Sequence, residues 1–335
     1  MGICISIASS EVHDEAEEQY YCHGNDDVSL SENIDSFGIQ RLGSLYSKQG
    51  SKGLNQDAAI LFQDYGIEGG AFCGVFDGHG KNGHAVSNMV RNRLSSLLLS
   101  QKIALAKLKT AAENDFLAWE EACVGGFKVM DKEIKLQENL DCSASGTTAV
   151  VVVRQGEDLV IANLGDSRAV LGTMTENGIK AVQLTTDLKP GLPSESERIR
   201  NCRGRVLALR QEPHIQRVWL PHEDSPGLAM SRAFGDFRLK DHGIIAVPDV
   251  SHHHLTPNDH FIVLASDGVW DVLNNDQVAS IVMEAESELE AARTVVEAAT
   301  ASWKKKFPSS KVDDCTAVCL FLQNRQHPSF LPPET

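Results

Sequence analysis

Apolar residues along this chain fall into short runs broken by polar turns, and two periods recur. The run Ala149 to Arg154 is almost all valine, which predicts the strongest strand in the chain. Leu159 to Leu164 is its partner across Gln155-Gly156-Glu157-Asp158, and Ala169 to Leu171 resumes after Gly165-Asp166-Ser167-Arg168. Strand, turn, strand predicts an antiparallel meander, not a strand–helix–strand unit. Further strands are predicted at Gly38 to Ser47, Ala58 to Phe62, Ala71 to Phe76, Phe261 to Ala265 and Cys315 to Leu322. Helical spacing appears at Ala85 to Lys109, where Val86, Met89, Val90, Leu94, Leu97 and Leu98 share a face. A second helix is expected over Asn114 to Gln137, broken or kinked at Gly125-Gly126. Both apolar stripes read as core. Glu195 to Cys202 makes a short helix, and Arg203 to Leu228, with its prolines, charges and Trp219, reads as an irregular flap. Asn274 to Gln277 is a capping box before the helix from Val278, and Leu289 to Lys306 ends in three lysines that suit a helix C-terminus.

The first 36 residues lack this periodicity. They are polar and acidic, and are expected to be a disordered arm, followed by one domain over 37–323 and a tail over 324–335. Met1-Gly2-Ile3-Cys4-Ile5-Ser6 fits an N-myristoylation signal with Gly2 as acceptor. One myristoyl chain binds membranes only marginally, and no Lys or Arg precedes Arg41, so stable anchoring would fall to a second acyl chain on Cys4. The formal net charge of −15 argues against nucleic acid as a partner. Eight scattered cysteines with no CxxC pair predict a reducing, intracellular setting. Neither a membrane-spanning run nor a signal peptide is evident. His252-His253-His254 invites a metal reading, but adjacent strand residues point to opposite faces, so a solvent-facing strand end is expected.

One chemistry-bearing pattern repeats. Apolar strands run into Asp-Gly at Asp77-Gly78-His79-Gly80 and again at Asp267-Gly268, and Asp57, Asp166 and Asp313 stand at similar junctions. Asp-Gly alone is a common turn. Five such carboxylates gathered together would repel one another unless cations lay between them. Oxygen ligands suit Mg²⁺ or Mn²⁺, and two such ions about 4 Å apart can acidify a shared water and neutralise displacement at phosphorus. With no P-loop and no kinase-type motif set, hydrolysis of a phosphate ester is the reading that remains.

The ordered set Asn55-Gln56-Asp57, Val75-Phe76-Asp77-Gly78-His79-Gly80, Ser145-Gly146-Thr147-Thr148, Asn163-Leu164-Gly165-Asp166-Ser167-Arg168, Met230-Ser231-Arg232-Ala233-Phe234-Gly235-Asp236, Ala265 to Asp271 and Asp313-Asp314 resembles the metal-dependent Ser/Thr protein phosphatases of type 2C, and its wording is similar to the plant branch. The resemblance implies an α+β fold, a central β-sandwich of two antiparallel sheets flanked by helices, with a flap over about 188–230. It implies attack on phosphoserine or phosphothreonine by a metal-activated water, with Mg²⁺ or Mn²⁺ as cofactor. Asp77 would bridge two ions and the Gly78 carbonyl would bind one. Asp267 and Asp313 would complete the second ion's ligands, and Asp57 would act through water. Asp166 and Asp271, with Asp267, match a weaker third position. His79 would be the general acid, and Lys52 stands where an arginine often clamps the substrate phosphate. Lysine lacks that bidentate fork, and Gln56 replaces a frequent glutamate. These two departures motivate an alternative, a catalytically weak, membrane-tethered binding protein. A metal-dependent phosphoesterase for small molecules or nucleic acids is a third reading, disfavoured for nucleic acid by the acidic surface. A monomer acting on phosphoproteins is expected, at the plasma membrane through its acyl groups or in the cytoplasm, with a nuclear location left open.

Overall fold

The computed structural model describes residues 19–21, 43–108 and 115–323. Strand β1 (Gln19–Tyr21) precedes β2 (Gly43–Lys48), β3 (Asp57–Gln63) and β4 (Ala71–His79), and then come helices α1 (Gly83–Leu108) and α2 (Asp115–Lys135). The meander comprises β5 (Gly146–Thr147), β6 (Ala149–Gln155), β7 (Asp158–Leu164), β8 (Arg168–Thr175) and β9 (Gly178–Gln183). Helix α3 (Pro193–Asn201) and strands β10 (Arg205–Leu209), β11 (Glu212–Trp219) and β12 (Pro226–Leu228) form an insertion. The chain closes with β13 (Phe234–Gly235), α4 (Phe237–Lys240), β14 (Asp249–His254), β15 (Asp259–Ala265), α5 (Asp267–Trp270), α6 (Asn275–Glu284), α7 (Ala291–Lys306) and β16 (Cys315–Phe321).

The valine run explains the layering. Along β6, Ala149, Val151 and Val153 pack beneath α1 and α2, whereas Val150 and Val152 point the other way into the space between two sheets. Such a strand is buried on both faces, and each buried valine contributes about 1.5–3 kcal/mol. Strands β15 and β16 repeat the logic in the second sheet. Val263, Ala265 and Cys319 face α6 and α7, while Ile262, Leu264, Val318 and Leu320 face the first sheet. The first sheet runs β1-β3-β4-β6-β7-β14, with β5 joined to β4 and β13, and the second runs β2-β16-β15-β8-β9. Every pairing between these strands is antiparallel. The result is the expected sandwich between two helical layers.

The structure corrects three details. Helix α2 runs unbroken through Gly125-Gly126. A Cβ at Gly126 would lie 2.6 Å from Leu98 Cδ2, so glycine serves the close approach of α1 and α2, not a kink. The flap is not irregular. It is helix α3 and a three-stranded sheet around its own small core, including Ile199, Val206, Val218 and Leu228. Its first hairpin turns at Arg210-Gln211, residues that carry no turn signal. The acidic arm contributes a short strand, Gln19–Tyr21, at the edge of β3. Gly2, Cys4 and the tail lie outside the described residues. Among those described, the helix cap at Asn274 is a full capping box, and no helix is long and apolar enough to cross a membrane.

Candidate metal centre

Antiparallel pairing builds the first half of the site. Asp57 opens β3 directly opposite Asp77 near the end of β4, so two carboxylates share one strand-end pair. Asp77 is fixed from its other side, where its N–H donates to Thr148 Oγ1 (3.0 Å) and its carbonyl accepts from Thr148 N–H (2.9 Å). Gly78 N–H donates to the Gln56 carbonyl (3.1 Å), which seats the turn. The second sheet brings the rest. Asp267 starts α5 after β15, Asp271 ends it, and Asp313 lies just before β16. Asp166 sits in the β7–β8 turn. Ser266 Oγ donates to Asp57 Oδ2 (2.7 Å), tying the two sheets together at the cleft. Asp314 holds the preceding loop by accepting from Gly50 and Gln56 N–H (2.8 and 2.9 Å).

The electrostatics are those of an acid cluster only partly compensated, by Lys52 and Lys189. Burial and then Asp314 push the Asp57 carboxyl up to about 7, against the pull of hydrogen bonds from Ser266 and Thr316. Burial, then Asp267, Asp57, Asp313 and Asp166, raise Asp77 well above the usual carboxylate range. Burial and its neighbours Asp166, Asp271 and Asp313 do the same to Asp267. Asp166 and Asp271 are also raised, chiefly by burial. Asp166 Oδ1 is buried with no hydrogen-bond partner. Hard anionic oxygens that repel one another, one of them orphaned, fit a divalent cation. Among the described residues no three His, Cys, Asp or Glu side chains already close into a metal cage. Protein donors hold some of them instead: Lys52 Nζ contacts the Asp313 carboxylate and Ser266 holds Asp57.

His79 lies beside the acids at the end of β4. Its Nε2 meets Asp236 Oδ2 at 2.6 Å, while its buried Nδ1 has no partner. A Cβ at Gly146 would stand 2.5 Å from Asp236 Oδ2 and 2.9 Å from His79 Nε2, so glycine there makes room for the pair. Burial lowers the imidazole's affinity for its proton, but Asp236 and Asp166 outweigh this and the net shift is upward. Lys52, half exposed, carries a raised affinity for its proton. Burial opposes that shift, and Asp313, Asp267 and Asp77 overcome it.

The expected acids, His79 and Lys52 thus lie close enough to act on one another's charge, while Gly2 and Cys4, the expected acylation sites, lie outside the described residues. Gln56 turns toward the start of α1, where its buried Oε1 has no partner and faces the Gly83 position. Sequence reasoning assigned no role to Asp236 or Lys189. The first was visible in the Phe234-Gly235-Asp236 motif, but its partner is 157 residues away. The histidine run behaves as expected of a strand face: His252 and His254 both contact Asp158 while His253 turns to Asp259.

Known proteins resemble this chain over most of its length. A profile of the family described as "Protein phosphatase 2C" matches residues 48–306. "Probable protein phosphatase 2C 72" of Arabidopsis thaliana is 55% identical, covering 98% of this chain and all of that protein. "Probable protein phosphatase 2C 12" of Oryza sativa subsp. japonica is 46% identical over 97% of this chain and 92% of its own length. Among solved structures, the serine-threonine phosphatase 2C from Toxoplasma gondii superposes with a TM-score of 0.77 at 25% identity, covering 91% of this chain and 99% of that one. A bacterial serine phosphatase, at 17% identity and a TM-score of 0.57, shares the fold.

Proposed function

The chain belongs to the protein phosphatase 2C family and is a metal-dependent protein serine/threonine phosphatase; on that premise we propose how its residues divide the work. The observation that carries the assignment is the cluster of buried aspartates whose carboxyls are raised by burial and by one another. Asp77 and the Gly78 carbonyl, with Asp267 and Asp313, would hold two Mg²⁺ or Mn²⁺ ions, and Asp57 would act through water. Asp166 and Asp271 would add a weaker third position beside Asp267. When bound, the ions supply the positive charge that acidifies the attacking water and draws the phosphate oxygens.

The protein's own groups do the rest. His79 protonates the departing serine or threonine oxygen, and Asp236, outweighing burial, raises the imidazole's affinity for that proton. Asp236, 2.6 Å from Nε2, orients the ring. Lys52 aligns the substrate phosphate by charge alone. A myristoyl group on Gly2 and a second acyl chain on Cys4 would tether this monomer to the plasma membrane, where it would act in signalling on phosphoproteins. Without the acyl chains it would be cytoplasmic.

Phosphate release from a phosphothreonine peptide tests the assignment. Turnover with Mn²⁺ or Mg²⁺, absent with chelator and absent in Asp77→Asn, is expected. Chelator-resistant turnover would remove the metal roles. A His79→Gln variant should lose about 10²–10⁴-fold in kcat while still binding metal.

A further inference from the structure

Lys189 belongs to none of the roles above, yet its half-exposed side chain reaches the acids of the centre. Its Nζ is 3.5 Å from Asp166 Oδ2. Asp166 is 3% exposed and its other oxygen, Oδ1, is buried without a partner. Burial weakens the ammonium's hold on its proton, but Asp166 and then Asp271, Asp267 and Asp187 lie near enough to outweigh it. Asp187 is already neutralised by a bidentate pair with Arg168 at 2.9 and 2.6 Å. The charge of Lys189 is therefore left for Asp166, Asp271 and Asp267.

The backbone holds Lys189 there. Leu188 N–H donates to the Gly165 carbonyl (2.9 Å), next to Asp166. The Leu188 carbonyl accepts from both the N–H and the hydroxyl of Ser231 (2.8 and 2.6 Å). Lys189 N–H donates to the Asp187 carbonyl (2.8 Å). A segment stapled on both sides presents its ammonium to Asp166, one of the carboxylates at which the weaker third ion would sit.

We propose that Lys189 is a tethered cation that competes with a divalent ion for Asp166 and so limits how many ions the cleft holds. The proposal rests on the metal-centre reading above. It differs from a phosphate-clamp role, because the group it acts on is the protein's own carboxylate. The physics is simple. One unit charge a few ångströms from a buried carboxylate offsets much of the attraction that carboxylate would offer an incoming cation. Removing that charge leaves Asp166, Asp271 and Asp267 facing one another, and a divalent ion is the next available counter-charge.

The test is equilibrium Mn²⁺ binding to the full chain, read from the electron paramagnetic resonance signal of free Mn²⁺. Wild type, Lys189→Met, Lys189→Arg and the double variant Lys189→Met/Asp166→Asn are compared, each first shown to be folded by its thermal melt. Lys189→Met should tighten the weakest class of Mn²⁺ by about tenfold or more. Lys189→Arg keeps the charge and should resemble wild type, and the double variant should lose the gain. Unchanged affinity and stoichiometry in Lys189→Met would overturn the proposal while leaving the metal centre standing. A wild type that binds no Mn²⁺ at all would overturn both.

Discussion

Two of the places where this protein buries carboxylates treat them oppositely. Glu195, at the start of α3, accepts from Arg198 at 2.7 Å on each oxygen, from Arg232 at 2.7 and 3.0 Å, and from Ser231 at 2.6 Å. Burial alone would raise its carboxyl, but Arg198, Arg232 and Ser231 outweigh that and bring it down to about 2. Asp57, also buried, receives only hydroxyl donors and sits among other acids, and goes up to about 7. The first cluster is complete in itself and joins the insertion to the segment that carries Asp236. The cleft is incomplete by design, with its missing charge left for a ligand. Burial is common to both, so the partners decide the sign.

Removing one charge from each region should have opposite consequences. Asp77→Asn should give the largest effect seen in activity, a loss of turnover. In the metal-free protein the same change should leave the melting temperature unchanged or higher, since it relieves repulsion. A lowered melting temperature would break the comparison, because it would mean the cleft acids stabilise the fold without metal. Glu195→Gln is the counterpart. It strips the charge that compensates two partly buried guanidiniums and should cost about 3–5 kcal/mol in urea unfolding. Added Mn²⁺ should not recover that loss beyond what it gives wild type.

The pH dependence sharpens the contrast. A carboxyl raised in the folded state binds its proton more tightly folded than unfolded, so stability falls as pH rises from about 4, the unfolded value, through the folded one. For Asp57 that window ends near 7. Glu195 runs the other way: its contribution is full above the unfolded value and is lost as pH falls toward about 2. Melts in chelator should therefore decline between pH 5 and 8, by no more than about 1.4 kcal/mol per pH unit for each proton involved. Mn²⁺ should flatten the decline, and Asp57→Asn should reduce it. A flat profile in chelator would mean the acids do not interact as described.

The cleft was readable from sequence because its acids follow a local rule. Asp77 and Asp267 each end an apolar strand with Asp-Gly, and that junction shows without knowing what faces it. The sandwich was readable for the same reason, since a valine run such as Val150 to Val153 can only be buried on two faces. What escaped was non-local or lacked a local mark. Glu195 meets Arg232 across 37 residues, and neither residue type announces burial. Lys189 reads as an ordinary charge before a proline until Gly165 and Ser231 fix its segment. The insertion's sheet was hidden by Arg210-Gln211, and Gly125-Gly126 carries the same signal whether a helix kinks or admits a neighbour.

A third carboxylate separates partnership from burial. Asp158 Oδ1 accepts from His252 Nε2 at 2.9 Å and His254 Nδ1 at 2.8 Å, so it is paired like Glu195. The hydrogen bond from His254 comes first among the causes that hold its carboxyl below the usual range. Yet its side chain is 49% exposed, and that of His254 is 69% exposed. Water competes for every one of these contacts and salt screens them. Asp158→Ala should therefore change unfolding stability by no more than about 1 kcal/mol, and raised salt should shrink even that. The measurement discriminates because the donor count resembles that of a buried site. A cost near that of Glu195→Gln would mean that partners alone set the energy, while a small one means that partners set its sign and burial its size.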